Sequence, residues 1–364
     1  MEHPLTAEWE HCLAPSEYRH SMRKLVLNLH LYAALITGVF IMILGVTGSI
    51  MAFEEQIDHL THPHLFFVTP QARPLSLAEL ATAAARRFPG EKAGLFGMSV
   101  SPGLSYYVAF SKGNVYVDPY TGEVLGVRNG PTWLSYVHQF HLRLSAGDVG
   151  KKIVSWVGLG MLFLLLSGLY LWWPLKRATI KWDAAPKRLW FDVHSAVGIF
   201  SLVFLLLLTV TGIVIGFESV STPFFFSITH SEPLRANFRA TARPGVVRLT
   251  PDQAVDVARA AVPGATPIAV NVPGPTGVYR VALRYPEDLT PGGRSRVFVD
   301  PYGGAILQAE SSRTTAAGTR MVNANRAIHT GDIYGLPSKA VMSIASLMAA
   351  LQVFSGVMLW WKRR

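Results

Sequence analysis

The chain has one cysteine, Cys12, in 364 residues. A single thiol excludes an intramolecular disulfide, a thiolate iron–sulfur cluster and the C-x-x-C-H covalent haem site. Charge is scarce as well. Asp, Glu, Lys and Arg make up 15% of the chain against 50% hydrophobic residues, and mean hydropathy is positive, which is too little polar surface for an ordinary soluble protein. No G-x-G-x-x-G follows a strand pattern, and the polar stretch 174–188 is too short for a flavin or nicotinamide domain. Gly158 and Gly160 fall inside an apolar run. The absence of a P-loop excludes ATP-driven transport, and no nucleophile sits in a hydrolase-type motif.

What the chain does have is long apolar runs, at 25–53, 153–173, 189–217 and 340–361. About 20 apolar residues cross a bilayer as a helix, so each run is long enough. The first is too long for a signal-peptide core and no small-residue cleavage site follows it, so it reads as a retained anchor. Basic residues gather in the short segments: Arg19, Arg23 and Lys24 before the first run, Lys176, Arg177, Lys181, Lys187 and Arg188 between the second and third, and Lys362, Arg363 and Arg364 at the end. The positive-inside rule puts these in the cytoplasm. The predicted layout is a cytoplasmic tail (1–24), spans at the four runs, a cytoplasmic loop (174–188) and end (362–364), and two outer domains (54–152 and 218–339) that each finish in an interfacial helix. The net charge of +10 then reports topology. Nucleic acid is excluded as a partner because the cations are not gathered on one soluble face; the lipid bilayer is the expected one.

The layout repeats. A constant shift carries His30 onto His194, Thr47-Gly48 onto Thr211-Gly212 and Phe53-Glu54 onto Phe217-Glu218. Another carries His141 onto His329, Gly147 onto Gly335, Lys151 onto Lys339, Ser155 onto Ser343, and "SGLYLWW" onto "SGVMLWW". Between the spans, "VYVDPYTGEVLG" parallels "VFVDPYGGAILQ", each an alternating strand entering a turn, which is a hairpin signal. Upstream, "SLAELATAAARRFPG" and "TPDQAVDVARAAVPG" read as short helices with a Ser or Thr N-cap and a terminating Pro-Gly. The fold class is therefore membrane α-helical: four transmembrane helices from a tandem, parallel two-span repeat, with two small α+β domains outside.

Histidine carries the chemistry. His30 and His194 lie at matching depth near the cytoplasmic ends of spans 1 and 3, where an ionisable side chain is costly without a partner. Face to face across a pseudo-twofold axis, they suit a bis-imidazole pair on a flat cofactor; carboxylates are expected to be absent from this depth. Ala34 and Gly198, four residues on from each histidine, are small, which suits either clearance over a porphyrin or close helix contact. Arg23, Lys24, Lys187 and Arg188 stand at matching places before the two histidines, as propionate partners or as ordinary cytoplasmic charge. His141 and His329 form a second matched pair at the outer interface, each after a short apolar patch that extends the helix outward. His138, whose repeat partner is Arg326, is an alternative or supporting ligand. Two pairs at two depths imply two non-covalent haems. His59, His62 and His64 have metal-ligand spacing but no counterpart in the second repeat, and read as a solvated loop. Arg280, Arg284, Arg294 and Arg296 read as a solvated strand face, with ligand contact as the second reading. His3, His11 and His20, in the tail, carry no argument.

The T-G of spans 1 and 3, the His-x(n)-G-x(3)-K before spans 2 and 4, the terminal SG-x(2)-LWW and the Asp-Pro-x-x-G hairpins together resemble the PepSY-associated transmembrane family with its PepSY domains, over about residues 20–364. The family includes inner-membrane reductases of ferric siderophores, of the FoxB type. The resemblance implies an oxidoreductase holding two b-type haems, with axial ligands at His30, His194, His141 and His329. It would pass electrons from quinol or a cytoplasmic flavoprotein to a ferric siderophore in the periplasm. Two alternatives stay open on the residues: a haem or iron-chelate permease, and a peptide-binding membrane protein with structural haem.

Overall fold

The computed structural model describes residues 15–234, 237–241 and 245–362, with side chains from Ser21 onward. Cys12, His3, His11, Arg363 and Arg364 lie outside the described residues, as do the side chains of Arg19 and His20. In chain order the first segment holds α1 (Pro15–Met51), α2 (Glu54–Thr61), α3 (Pro63–Phe66), α4 (Leu77–Ala85) and strands β1 (Leu95–Gly97), β2 (Tyr106–Phe110), β3 (Gly113–Val117) and β4 (Val124–Arg128). Helices α5 (Trp133–Arg143), α6 (Gly147–Trp172), α7 (Pro186–Gly216), α8 (Glu218–Ile228) and α9 (Pro251–Ala261) follow. The last segment holds β5 (Thr266–Asn271), β6 (Tyr279–Arg284), β7 (Ser295–Val299), β8 (Ile306–Glu310), α10 (Ala317–Thr330) and α11 (Leu336–Trp361). The chain divides into two compact units. A helical unit takes the residues up to Ser49, Gln139–Gly216 and those from Met342 on, and a sheet unit takes Ile50–His138 and Phe217–Val341.

The helical unit is built from α1, α6, α7 and α11, all long and apolar enough to cross a membrane. Its exposure pattern is inverted relative to a soluble bundle. Ile36 and Phe200 are 72% and 73% exposed, whereas Ser155, Ser167, Ser201, Thr211, Ser343 and Ser355 are buried. Lipid solvates the large apolar side chains, and helices in lipid meet through small residues and hydroxyls. Ser49 and Ser343 join α1 to α11 through a 2.7 Å hydroxyl pair. A Cβ added at Gly45 would come within 2.6 Å of the Ser346 carbonyl, and one at Gly216 within 2.7 Å of Ser155 Oγ. At the centre, Ile41, Val157, Leu165, Leu205 and Ala349 bring one or two side chains from each helix into one cluster.

Helices α5 and α10 do not run on into α6 and α11. Leu144 and Ser145 take left-handed φ values of 48° and 53° before Gly147 (57°), and Gly331 (76°) with Gly335 (65°) make the second break. The first break is tight, since a Cβ on Gly150 would overlap the Arg143 carbonyl. Left-handed glycine ends a helix without steric cost.

In the sheet unit all eight strands form one antiparallel sheet, ordered β4-β3-β2-β1-β5-β6-β7-β8. The two segments meet edge to edge rather than standing apart: β1 pairs with β5 through Leu95↔Asn271, Phe96↔Val270 and Gly97↔Ala269. One face of the sheet, with Val108, Val115, Val270, Val281 and Val297, packs on Leu80 and Ala84 of α4 and Ala254 and Ala258 of α9 in a shared core. Each helix starts in a capping box, Ser76 with Glu79 and Thr250 with Gln253, which satisfies otherwise orphaned N–H groups. The Asp252 carboxylate also accepts from Leu77 and Ala78 N–H at 2.7 and 3.2 Å, tying α9 to the start of α4. Both hairpin turns are folded by their aspartates: Asp118 accepts from Tyr120 N–H at 2.8 Å and Asp300 from Tyr302 N–H at 3.1 Å.

Candidate functional site

His30 on α1 and His194 on α7 are each oriented by a serine of the partner span. His30 Nδ1 lies 2.8 Å from Ser167 Oγ on α6, and His194 Nδ1 lies 2.9 Å from Ser355 Oγ on α11. The hydrogen-bond network assigns the tautomers. Ser167 gives its only proton to the Phe163 carbonyl (2.7 Å) and Ser355 gives its own to the Gln352 carbonyl (3.1 Å). With those protons so placed, each hydroxyl oxygen accepts from Nδ1–H, which leaves the lone pair on Nε2. A neutral imidazole so held is in the form in which histidine ligates metals, with its outer partner in place. The glycine after each serine borders the ring: a Cβ on Gly168 would lie 3.5 Å from His30 Cε1, and one on Gly356 3.5 Å from His194 Cε1. Gln352 donates to the His194 carbonyl at 2.9 Å. The two imidazoles lie near each other within the helical unit.

His141, in the last turn of α5, follows the same design with Thr47 of α1. Its Nδ1 is 3.0 Å from Thr47 Oγ1, which donates to the Ile43 carbonyl at 2.7 Å. The neighbouring Gly48 has no room for a side chain, as a Cβ would sit 2.9 Å from His141 Cε1 and 2.8 Å from Ser346 Oγ. His329 lies half-buried on α10, in the sheet unit. His138 turns to Glu54, with Nδ1 3.1 Å from the carboxylate, and so has a partner of its own.

The remaining expected residues fall into place individually. Gly198 faces Gln352, where a Cβ would lie 3.2 Å from Nε2, while Ala34 is half-buried. Arg23 donates to the Leu171 carbonyl at 3.0 Å, a cation at the C-terminal end of α6 where the helix dipole favours it. Lys24 and Lys187 are exposed. Arg188 Nε donates to Asp192 at 2.8 Å, and Asp192 is 1% exposed. This corrects the expectation that carboxylates are absent from this depth: Asp192 stands two residues before His194, and a charged partner one turn earlier on the same helix makes its burial tolerable. "LWFDVH" contained the signal, an acid in an apolar run four residues after an arginine.

His59, His62 and His64 do not converge. His59 packs on Phe66 and Phe67, and His62 bonds to Asp58 at 3.1 Å. Among the described residues no group of three or more His, Cys, Asp or Glu side chains is arranged to hold a metal ion.

A bundle of four spanning helices with paired, hydroxyl-oriented histidines, joined in sequence to an α+β sheet unit, defines a helical membrane protein. The chain belongs to the family described as the PepSY-associated TM region, whose model matches residues 27–363. No curated protein matches it.

Proposed function

We propose that the protein is a dihaem b-type oxidoreductase of the bacterial inner membrane that reduces ferric iron in a siderophore complex on the periplasmic side, releasing Fe(II). One observation carries this reading: His30 and His194 each commit Nδ1–H to a hydroxyl and keep the Nε2 lone pair for a metal, and His141 sets its Nδ1 against Thr47 in the same manner. That donor set fits a non-covalent haem at His30 and His194, and the sequence repeat assigns His141 and His329 to a second. Bound haem iron supplies one-electron chemistry by cycling between Fe(III) and Fe(II).

The chain's own residues do the rest. Ser167, Ser355 and Thr47 fix the tautomer and the ring plane, and the adjoining glycines Gly168, Gly356 and Gly48 keep the imidazole edges free of side chains. Electron transfer to a chelate needs no acid–base residue; reduction loosens the complex because Fe(II) is less highly charged and a poorer match for hard oxygen donors. With no nucleotide motif in the chain, the donor is quinol or a cytoplasmic flavoprotein. The palindromic strand order supports a tandem two-span repeat, and the basic short segments support cytoplasmic termini.

A dithionite-reduced-minus-oxidised spectrum of purified protein, with a haem-to-protein ratio, tests the reading. The expected result is a low-spin spectrum with two haems per chain, all extracted by acid–acetone. A colourless folded preparation overturns it, and labile haem that moves across vesicles replaces it with the permease.

A further inference from the structure

The sheet face turned away from α4 and α9 carries an unbalanced group of arginines at one end. Register places Arg296 opposite Ala282 and Ser295 opposite Leu283, so Arg284 and Arg294 continue the same two strands. The loop between them closes through Gly293, at φ 59°. A Cβ there would strike the Leu283 carbonyl and lie 3.0 Å from Arg284 Cβ, so only glycine folds Arg294 back onto Arg284. Arg326 on α10 approaches close enough for its charge to act on Arg294.

Among the described residues these four guanidinium groups make no hydrogen bond or ion pair, and the Nε atoms of Arg284 and Arg294 are buried without a partner. Nearby acids are engaged elsewhere. Asp288 accepts from Tyr285 N–H at 2.9 Å, Asp332 holds Lys339 at 3.1 Å, and Glu310, opposite Arg296 in register, accepts from Thr315 at 2.7 Å. Burial foremost, then Arg326 and Arg296, lower the Arg294 pKa from its usual value, against a weaker pull from Asp288 and Asp332. Arg284 and Arg294 are half-buried with unmet donors, and the exposed Arg296 and Arg326 add like charge beside them, which is unfavourable until an anion joins the group.

We propose that Arg284, Arg294, Arg296 and Arg326 form a binding site for an anionic, carboxylate-rich metal chelate. Planar guanidinium forks match carboxylate oxygens and discriminate against cationic complexes. Arg326 stands one helical turn from His329 on α10, so the site adjoins a candidate ligand of the second haem. Naming this chelate as the reductase's substrate rests on the function proposed above; the binding itself does not.

The test uses full-length protein in detergent and the redox-inert gallium(III) citrate complex, with binding followed by calorimetry. Arg294→Gln and the exposed Arg296→Gln should each weaken binding by about tenfold or more, while Arg259→Gln on α9 leaves it unchanged. The cationic gallium(III) desferrioxamine complex should bind all forms equally weakly. Equal affinity of the wild type and both variants for gallium citrate overturns the proposal, as does stronger binding of metal-free citrate. Loss of haem from the variants with citrate affinity unchanged also overturns it and assigns the arginines to propionates. Gallium needs no electron, so binding by a colourless protein keeps this site and removes the reductase.

Discussion

At the scale of single residues, three imidazoles depend on three hydroxyls. Ser167→Ala or Ser355→Ala removes the acceptor of Nδ1–H, freeing the ring to rotate and to change tautomer. Loss of such an outer partner costs about 10–100-fold in metal affinity; the expected outcome is lower haem occupancy and a shifted midpoint potential, with Thr at the same position restoring both. His30→Ala or His194→Ala should remove one haem and spare the other's spectrum, and His141→Ala or His329→Ala should do the reverse. A greater loss in His138→Ala than in His141→Ala would overturn the assignment of His141. The histidines were legible in the sequence because an ionisable group in an apolar run is conspicuous. Ser167 and Ser355 were visible only as part of a repeated SG-x(2)-LWW, because a serine in a spanning helix is also an ordinary small packing residue. Asp192 was absorbed into its apolar run, and only the structure shows Arg188 beside it.

At the scale of elements, α1 is fastened to α11 by close approach rather than by bulk. Gly48 sits against both Ser346 and His141, so Gly48→Ala should overpack the contact at a cost of about 1–3 kcal/mol. The measurements are the melting temperature in detergent and the haem spectrum, and a change in both is expected. In the sheet unit, Arg128 makes a bidentate pair with Asp58 at 2.6 and 2.7 Å and lies over the Phe66 and Tyr116 rings at 5.2 and 5.3 Å. Burial alone would raise the Asp58 pKa, but the Arg128 hydrogen bond and charge, with His62, outweigh it and hold the carboxyl below its usual value. A depressed folded-state pKa stabilises above the unfolded value, about 3.9, and that contribution is lost as pH falls through the folded pKa. The sheet unit should therefore lose stability in acid below about pH 4, and Arg128→Ala should flatten that part of the profile in a pH-dependent melt. Spans, hairpins and capped helices could be read locally from period and turn chemistry. The break before α6 could not, because Leu144 and Ser145 carry no preference for positive φ, whereas Gly331 and Gly335 do mark the one before α11. Neither could α2 and α8, two short helices directly after the spans.

At the scale of the molecule, the distribution of charge and the single thiol define a direct test of orientation. Cys12 is the only cysteine, so a membrane-impermeant maleimide should label it in inside-out vesicles and not in right-side-out ones. The reverse labelling would invert the topology and the direction of electron flow. In right-side-out vesicles, pre-reduced protein should be reoxidised by an impermeant ferric chelate added outside, with Fe(II) caught by a ferrous chelator, and NADH alone should not reduce the purified protein.

The seam between β1 and β5 has a consequence for biosynthesis. When the ribosome has finished β4, strand β1 has one neighbour, β2, and its other edge is bare. Its remaining partner is not made until α6 and α7 have been inserted into the bilayer and the chain has passed onward to β5. During that interval the nascent half-sheet offers unpaired backbone groups to any passing strand, a period of vulnerability during translation. Slowed elongation between α6 and β5 should therefore raise aggregation of this protein, and a chaperone that shields the open strand until its mate arrives should suppress it.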